Sequence, residues 1–98
     1  MNPTSSQLQI PDRTTNDPKA FEIVRVWVAH GEQHVAIRVG AWKKPEAWGI
    51  VLADLAMHLA QAYEQHAGLN RDITLEQIKT EFAAKLKSAT DDPIGYLM

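Results

Sequence analysis

The stretch IVRVWVAHGEQHVAIRVG, residues 23–40, changes polarity with a period of two. Val24, Val26 and Val28 alternate with Arg25, Trp27 and Ala29; after HGEQ, Val35, Ile37 and Val39 alternate with His34, Ala36 and Arg38. Successive side chains on a strand point to opposite faces, so this pattern predicts a β-hairpin over about 23–40. One face is aliphatic and the other carries Arg25, Trp27, His34 and Arg38. Gly31 supplies the positive φ that a tight connection needs. Phe21, Val24 and Val28 also fit a helical stripe over 18–30, but the run of β-branched residues favours the strand.

The period then changes to that of a helix. Trp48, Val51, Leu52, Leu55, Leu59, Ala62 and Tyr63 recur at helical spacing between Pro45-Glu46, good first-turn residues, and Gly68, a good terminator. They predict a helix over about 45–67, with His66 complementing the macrodipole at its end. Gly49 costs this helix about 1 kcal/mol relative to alanine, which implies a close approach there. TLEQ at 74–77 has the form of a capping box and predicts a second helix over about 75–88, with Leu75, Ile78, Phe82 and Leu86 as its stripe and Glu81 and Lys85 as an exposed pair. Residues 1–18 are polar except for Leu8 and Ile10 and are expected to form a flexible arm, with NDPKA giving one helical turn capped by Asn16 or Asp17 and opened by Pro18. The tail 91–98 carries helix breakers and is expected to be irregular, its Ile94, Tyr96, Leu97 and Met98 covering an edge or a partner. The expected architecture is therefore α+β: an arm at 1–18, a single domain at 19–90 made of a hairpin and two helices, and a tail at 91–98.

Composition turns this pattern into a question of assembly. The chain has 98 residues, 45% apolar and 22% charged, enough for one globular domain. Two strands about 4.8 Å apart make a platform barely wide enough for one helix about 10 Å across, and here two helices need cover. A helix over 45–67 would also run about 34 Å, past the end of a six-residue strand. A homodimer resolves both mismatches, with hairpins joined edge to edge or long helices packed across a two-fold axis. The competing monomer uses QLQI of the arm as a third strand.

Cysteine is absent, which removes disulfides, thiolate nucleophiles and cysteine-ligated zinc and fits a reducing cytoplasm. The N-terminus lacks the basic and apolar regions of a signal peptide, and Asp54 and His58 interrupt the longest apolar run short of a membrane span. A formal net charge of −2 gives no general pull toward nucleic acid.

Two constellations could carry chemistry. Asp54 and His58 stand four apart on one helical face, where a carboxylate can orient an imidazole as a general base; Gln61 and Gln65 continue that stripe but cannot act as acid or base. The pair also reads simply as the polar side of an amphipathic helix. Arg25, Trp27, His34 and Arg38, with Lys43 and Lys44 nearby, could hold a protein or a small anionic ligand, although the acidic overall charge and the single aromatic on that face favour a Trp27 buried by the second helix or a dimer mate with the arginine stems packed around it. HGEQH brings His30, Glu32 and His34 near a turn without the spacing of a zinc-binding HExxH helix. Trp48 and Tyr63 fit the core stripe, and Trp42 reads as a packing anchor at the strand-to-helix corner. With no Gly-rich phosphate loop, serine elbow or paired carboxylates, no cofactor or metal is called for.

The order RVWVA…QHVAIRVGAW…PEAWGIVLADLAMHLAQAY, over about residues 17–88, resembles a small proteobacterial family known as a domain of unknown function. The resemblance is most specific at Arg25 and Trp27, at the HV that opens the second strand, and at AWG, LAD and His58 of the helix. It implies a short stand-alone bacterial protein and brings no activity, cofactor or site residue with it. The function expected from these readings is a non-enzymatic binding or protein-interaction module; the alternative is a small enzyme or ligand-binding protein using Asp54 and His58 in a pocket completed by the fold or a dimer mate.

Overall fold

A computed structural model describes residues 6–88 and, for their backbone, 95–97. Its elements are α1 (Asp12–Thr15), β1 (Val24–Ala29), β2 (Glu32–Ile37), a 3-10 turn at Val39–Ala41, α2 (Ala47–Ala67), α3 (Arg71–Ser88) and β3 (Gly95–Leu97). The layout is α+β, an antiparallel hairpin followed by two long helices.

The hairpin forms as the alternation predicts. Val24 faces Ile37 and Val26 faces Val35, while Arg25 faces Ala36 and Trp27 faces His34, so the two faces separate by residue type. Only His30 and Gly31 lie between the paired Ala29 and Glu32, and both have positive φ, 54° and 73°. That is the two-residue turn whose twist matches a right-handed hairpin. The helical alternative for 18–30 is set aside by this pairing.

The third strand comes from the tail rather than from QLQI. β3 runs parallel to β2, with Val35 opposite Gly95 and Ile37 opposite Leu97, giving the order β1-β2-β3. Part of the tail read as irregular is thus ordered as an edge cover; Ile94 and Met98 lie outside the described residues. A parallel pair needs a long crossover, which α2 and α3 supply. In the arm, the helical turn falls at Asp12–Thr15, before NDPKA; there the Asp17 carboxylate instead accepts the Lys19 N–H at 2.9 Å in a non-helical turn.

The helix α2 enters through a tight turn in which the Trp48 N–H donates to Pro45 O and the Gly49 N–H to Glu46 O. It ends where Gly68 takes φ 70° and donates to Glu64 O. The start of α3 differs from the capping-box reading: Asn70 is the cap, its Oδ1 accepting the Ile73 N–H at 3.0 Å. Thr74 lies inside the helix, its hydroxyl donating to Asn70 O at 2.7 Å. Asn70 follows the Gly68 stop almost at once, so the earlier residue able to cap starts the helix and Thr74 has no cap left to make. The Glu64 carboxylate accepts the Arg71 N–H, tying the two helix ends across the connection. On the surface of α3 the ion pairs are Arg71 with Asp72 and Lys79 with Glu76 rather than Glu81 with Lys85.

The core is where expectation and structure part most. Among the described residues only Ala60, at 0% exposure, and Thr74, at 6%, are buried. The two helices pack on each other, and their least exposed residues are Ala60 and Thr74, followed by the half-buried Ala56, Leu75 and Ile78. Leu52, Leu55, Leu59 and Tyr63, read as core, stay exposed, as do Phe82 and Leu86 of α3. Alanines allow a close helix approach, so α3 settles on the small side of α2 and leaves the large side open. A side chain at Gly49 would meet nothing within 4 Å, so the expected close neighbour is not found among the described residues. No residue of β1 or β2 is fully buried either, and among the described residues the sheet and the helix pair share no closed core.

Candidate interaction surface

The polar face of the hairpin is built by its register. Trp27 and His34 sit directly opposite and are both half-buried, the distance at which cross-strand side chains interact. His34 also turns its Nε2 toward the carbonyl oxygen of Ala29, 3.2 Å away. Arg25 and Arg38 lie toward the other end of that face, and both are engaged by the segment leading into β1. The Arg25 guanidinium holds the Glu22 carboxylate through two contacts, Nη2 to Oε1 at 2.9 Å and Nε to Oε2 at 3.2 Å. Arg38 donates from Nε to the backbone oxygen of Glu22 at 2.9 Å and places its guanidinium 5.9 Å from the centre of the Phe21 ring. Such a pairing positions the arginines and offsets part of the charge they present to a ligand.

Glu22 and Phe21 are therefore members of this surface that the alternation did not reveal, because they precede the strand. The signal was a carboxylate three residues before Arg25. Two clefts border the surface. One, of about 580 Å³, opens between residues 6–11 of the arm and the free edge of β1, with Phe21, Arg25 and Trp27 in its wall. A smaller one, of about 210 Å³, is walled by Glu22, Arg25, Ala36 and Arg38.

Asp54 and His58 both stand exposed on α2, and no hydrogen bond or ion pair joins them within the described residues. The chain alone does not enclose either side chain. At the corner leading into α2, Trp42 and Trp48 meet edge to face, ring centroids 5.3 Å apart and planes at 80°. Trp42 thus serves as the anchor expected of it. Among the described residues, no three His, Asp or Glu side chains gather as metal ligands, and no helix is long and apolar enough to cross a membrane.

Fold and surface together define a small α+β module, a hairpin carrying an arginine and tryptophan face followed by a helix pair. The chain belongs to the family described as Domain of unknown function (DUF5076), whose model matches residues 7–90. Comparison with curated proteins gives no significant match. Among solved structures, the chain is similar to one described as "a putative pyruvate dehydrogenase from the photosynthetic bacterium Rhodopseudomonas palustrus CGA009", with 32% identity, a TM-score of 0.69 and 88% of each chain covered.

Proposed function

We propose that the chain is a non-enzymatic interaction module whose first partner is a second copy of itself. One observation carries this reading: the single chain exposes 8921 Å², whereas a folded monomer of 11.0 kDa exposes about 5,600 Å². Allowing a fully extended chain's area for the twelve residues outside the described set still leaves about 1,900 Å² in excess. That matches or exceeds what one partner contributes to a stable interface, about 800 Å². The radius of gyration, 15.5 Å, is likewise larger than the roughly 12.6 Å of a compact chain of this length. Light scattering of the purified full chain at micromolar concentration is expected to give twice 11.0 kDa, and the mass of one chain would reject the reading.

A second role is favoured by the cleft beside β1. Arg25, Trp27, His34 and Arg38 form a face on which a protein or a small anionic ligand is recognised, with Trp27 supplying apolar contact and the arginines direction. Arg38→Glu, with an unchanged circular dichroism spectrum, is expected to lose whatever the wild-type chain retains from cell lysate, and undiminished capture argues against this face. The absence of cysteine and the resemblance to a proteobacterial family support a bacterial cytoplasmic setting.

The name of the Rhodopseudomonas structure describes that protein and adds no activity to this proposal. The clefts among the described residues are open surface grooves. An enzyme built on Asp54 and His58 would need the dimer mate to close a pocket over them, and nothing in the chain favours that over a solvated face.

A further inference from the structure

We infer that the two chains of the dimer are intertwined, the aliphatic face of each sheet packing on the apolar face of its partner's helix pair. This rests on the homodimer reading and specifies which surfaces meet.

The chain carries two apolar faces that are only partly covered, and among the described elements the sheet and the helix pair do not pack on each other. On the sheet, Val28 is 77% and Val26 50% exposed on the aliphatic face, while Val24, Val35 and Ile37 of the same face are half-buried. On the helices, Leu55 of α2 and Phe82 of α3 are each 51% exposed. The dimensions agree: three strands span about 14 Å and six residues about 20 Å, while two helices side by side span about 20 Å. The sheet of one chain therefore fits within the footprint of the helix pair of another, with α2, about 30 Å long, running past its end.

Symmetry then chooses among dimers. A seam of helix pair against helix pair leaves the aliphatic sheet face in water. Pairing of two β1 edges leaves both apolar faces in water. Exchange of sheet and helices across one two-fold axis covers both faces twice and forms two equal layers. The connection suits the exchange, because the 3-10 turn at Val39–Ala41 and the Trp42–Trp48 contact fix the corner at which α2 leaves the sheet. The excess surface, about 1,900 Å² or more per chain, is of the size obligate dimers bury.

The chain has no cysteine, so introduced thiols are the only ones present. Val28→Cys and Leu55→Cys are made in separate chains, one lengthened by a tag so that denaturing gels distinguish them. The two are unfolded together, refolded and treated with a short bismaleimide, which bridges several ångströms so that register is not itself under test. A covalent band joining the tagged and untagged chains is expected, with little product from either variant alone. Val26→Cys with Leu59→Cys provides an independent pair. Strong self-linking of Leu55→Cys identifies a helix-to-helix seam and overturns the exchange while leaving the dimer intact. Linking within one chain that carries both thiols, without linking between chains, overturns it as well, since the sheet then covers its own helices. A dimeric wild type in which neither pair links across chains overturns it too. A monomeric wild type overturns the dimer reading together with the exchange.

Discussion

The sheet and the helix pair are incomplete in different ways. In the sheet, backbone pairing is well served: β2 is bonded on both sides, the turn has the two positive φ values it needs, and Arg38 donates its N–H to Ile23 O beyond the last paired residues. Yet no residue of β1 or β2 is buried. In the helix pair, the ends are capped by Gly68 and Asn70 and two residues are buried, Ala60 and Thr74, but large apolar side chains such as Leu52, Leu55, Tyr63 and Phe82 stay exposed. Among the described residues, backbone hydrogen bonding is well served, whereas hydrophobic burial, the larger driving force for folding, is slight; the proposed dimer would supply it.

The strongest way to break this contrast is to charge the open helical face. Leu55→Asp is expected to abolish assembly and to lose about 4 kcal/mol per dimer, two apolar burials together with the cost of desolvating a charge. The readout is a light-scattering mass that falls to that of one chain. Overpacking the seam that the chain does close tests the other side of the contrast. Ala60→Leu is expected to cost about 1–3 kcal/mol in urea unfolding, because a fully buried alanine leaves no room for the added carbons.

The local devices should have smaller effects. Asn70→Ala is expected to lose about 1 kcal/mol by thermal unfolding through loss of the α3 cap, and Thr74→Ala less, which separates the observed cap from the capping-box alternative. Gly31→Ala should cost about 1 kcal/mol because its φ is 73°, seen as faster amide exchange in β1 and β2. Glu22→Gln is expected to change stability by less than about 1 kcal/mol, since the pair with Arg25 is exposed, while freeing Arg25 toward ligands. A larger loss on chemical denaturation would show that the arginine clamp is structural.

Much of the layout was legible because its signals are local. Alternation around HG identified both strands and their faces, and Pro45-Glu46 with Gly68 bracketed α2 closely. The start of α3 was displaced by four residues because two cap-capable residues, Asn70 and Thr74, compete and sequence alone does not rank them. The strand at Gly95–Leu97 was too short to announce itself; only the apolar character of the tail hinted at an edge cover. The main misreading was of the core. A stripe of Leu52, Leu55, Leu59 and Tyr63 says that these side chains seek cover but not which surface supplies it, and the buried residue of α2 is instead an alanine, Ala60. On the candidate surface, alternation placed Arg25, Trp27, His34 and Arg38 on one face, while Glu22 and Phe21 were missed because their part depends on how the chain enters β1.

The central claim, that the apolar core closes only between two copies, is tested most directly by the concentration dependence of thermal unfolding. When folding is coupled to dimerisation, the midpoint rises with protein concentration by mass action. A midpoint that climbs steadily over a hundredfold range, with one cooperative transition, is the expected result. A midpoint independent of concentration, at a light-scattering mass of one chain, would contradict the account.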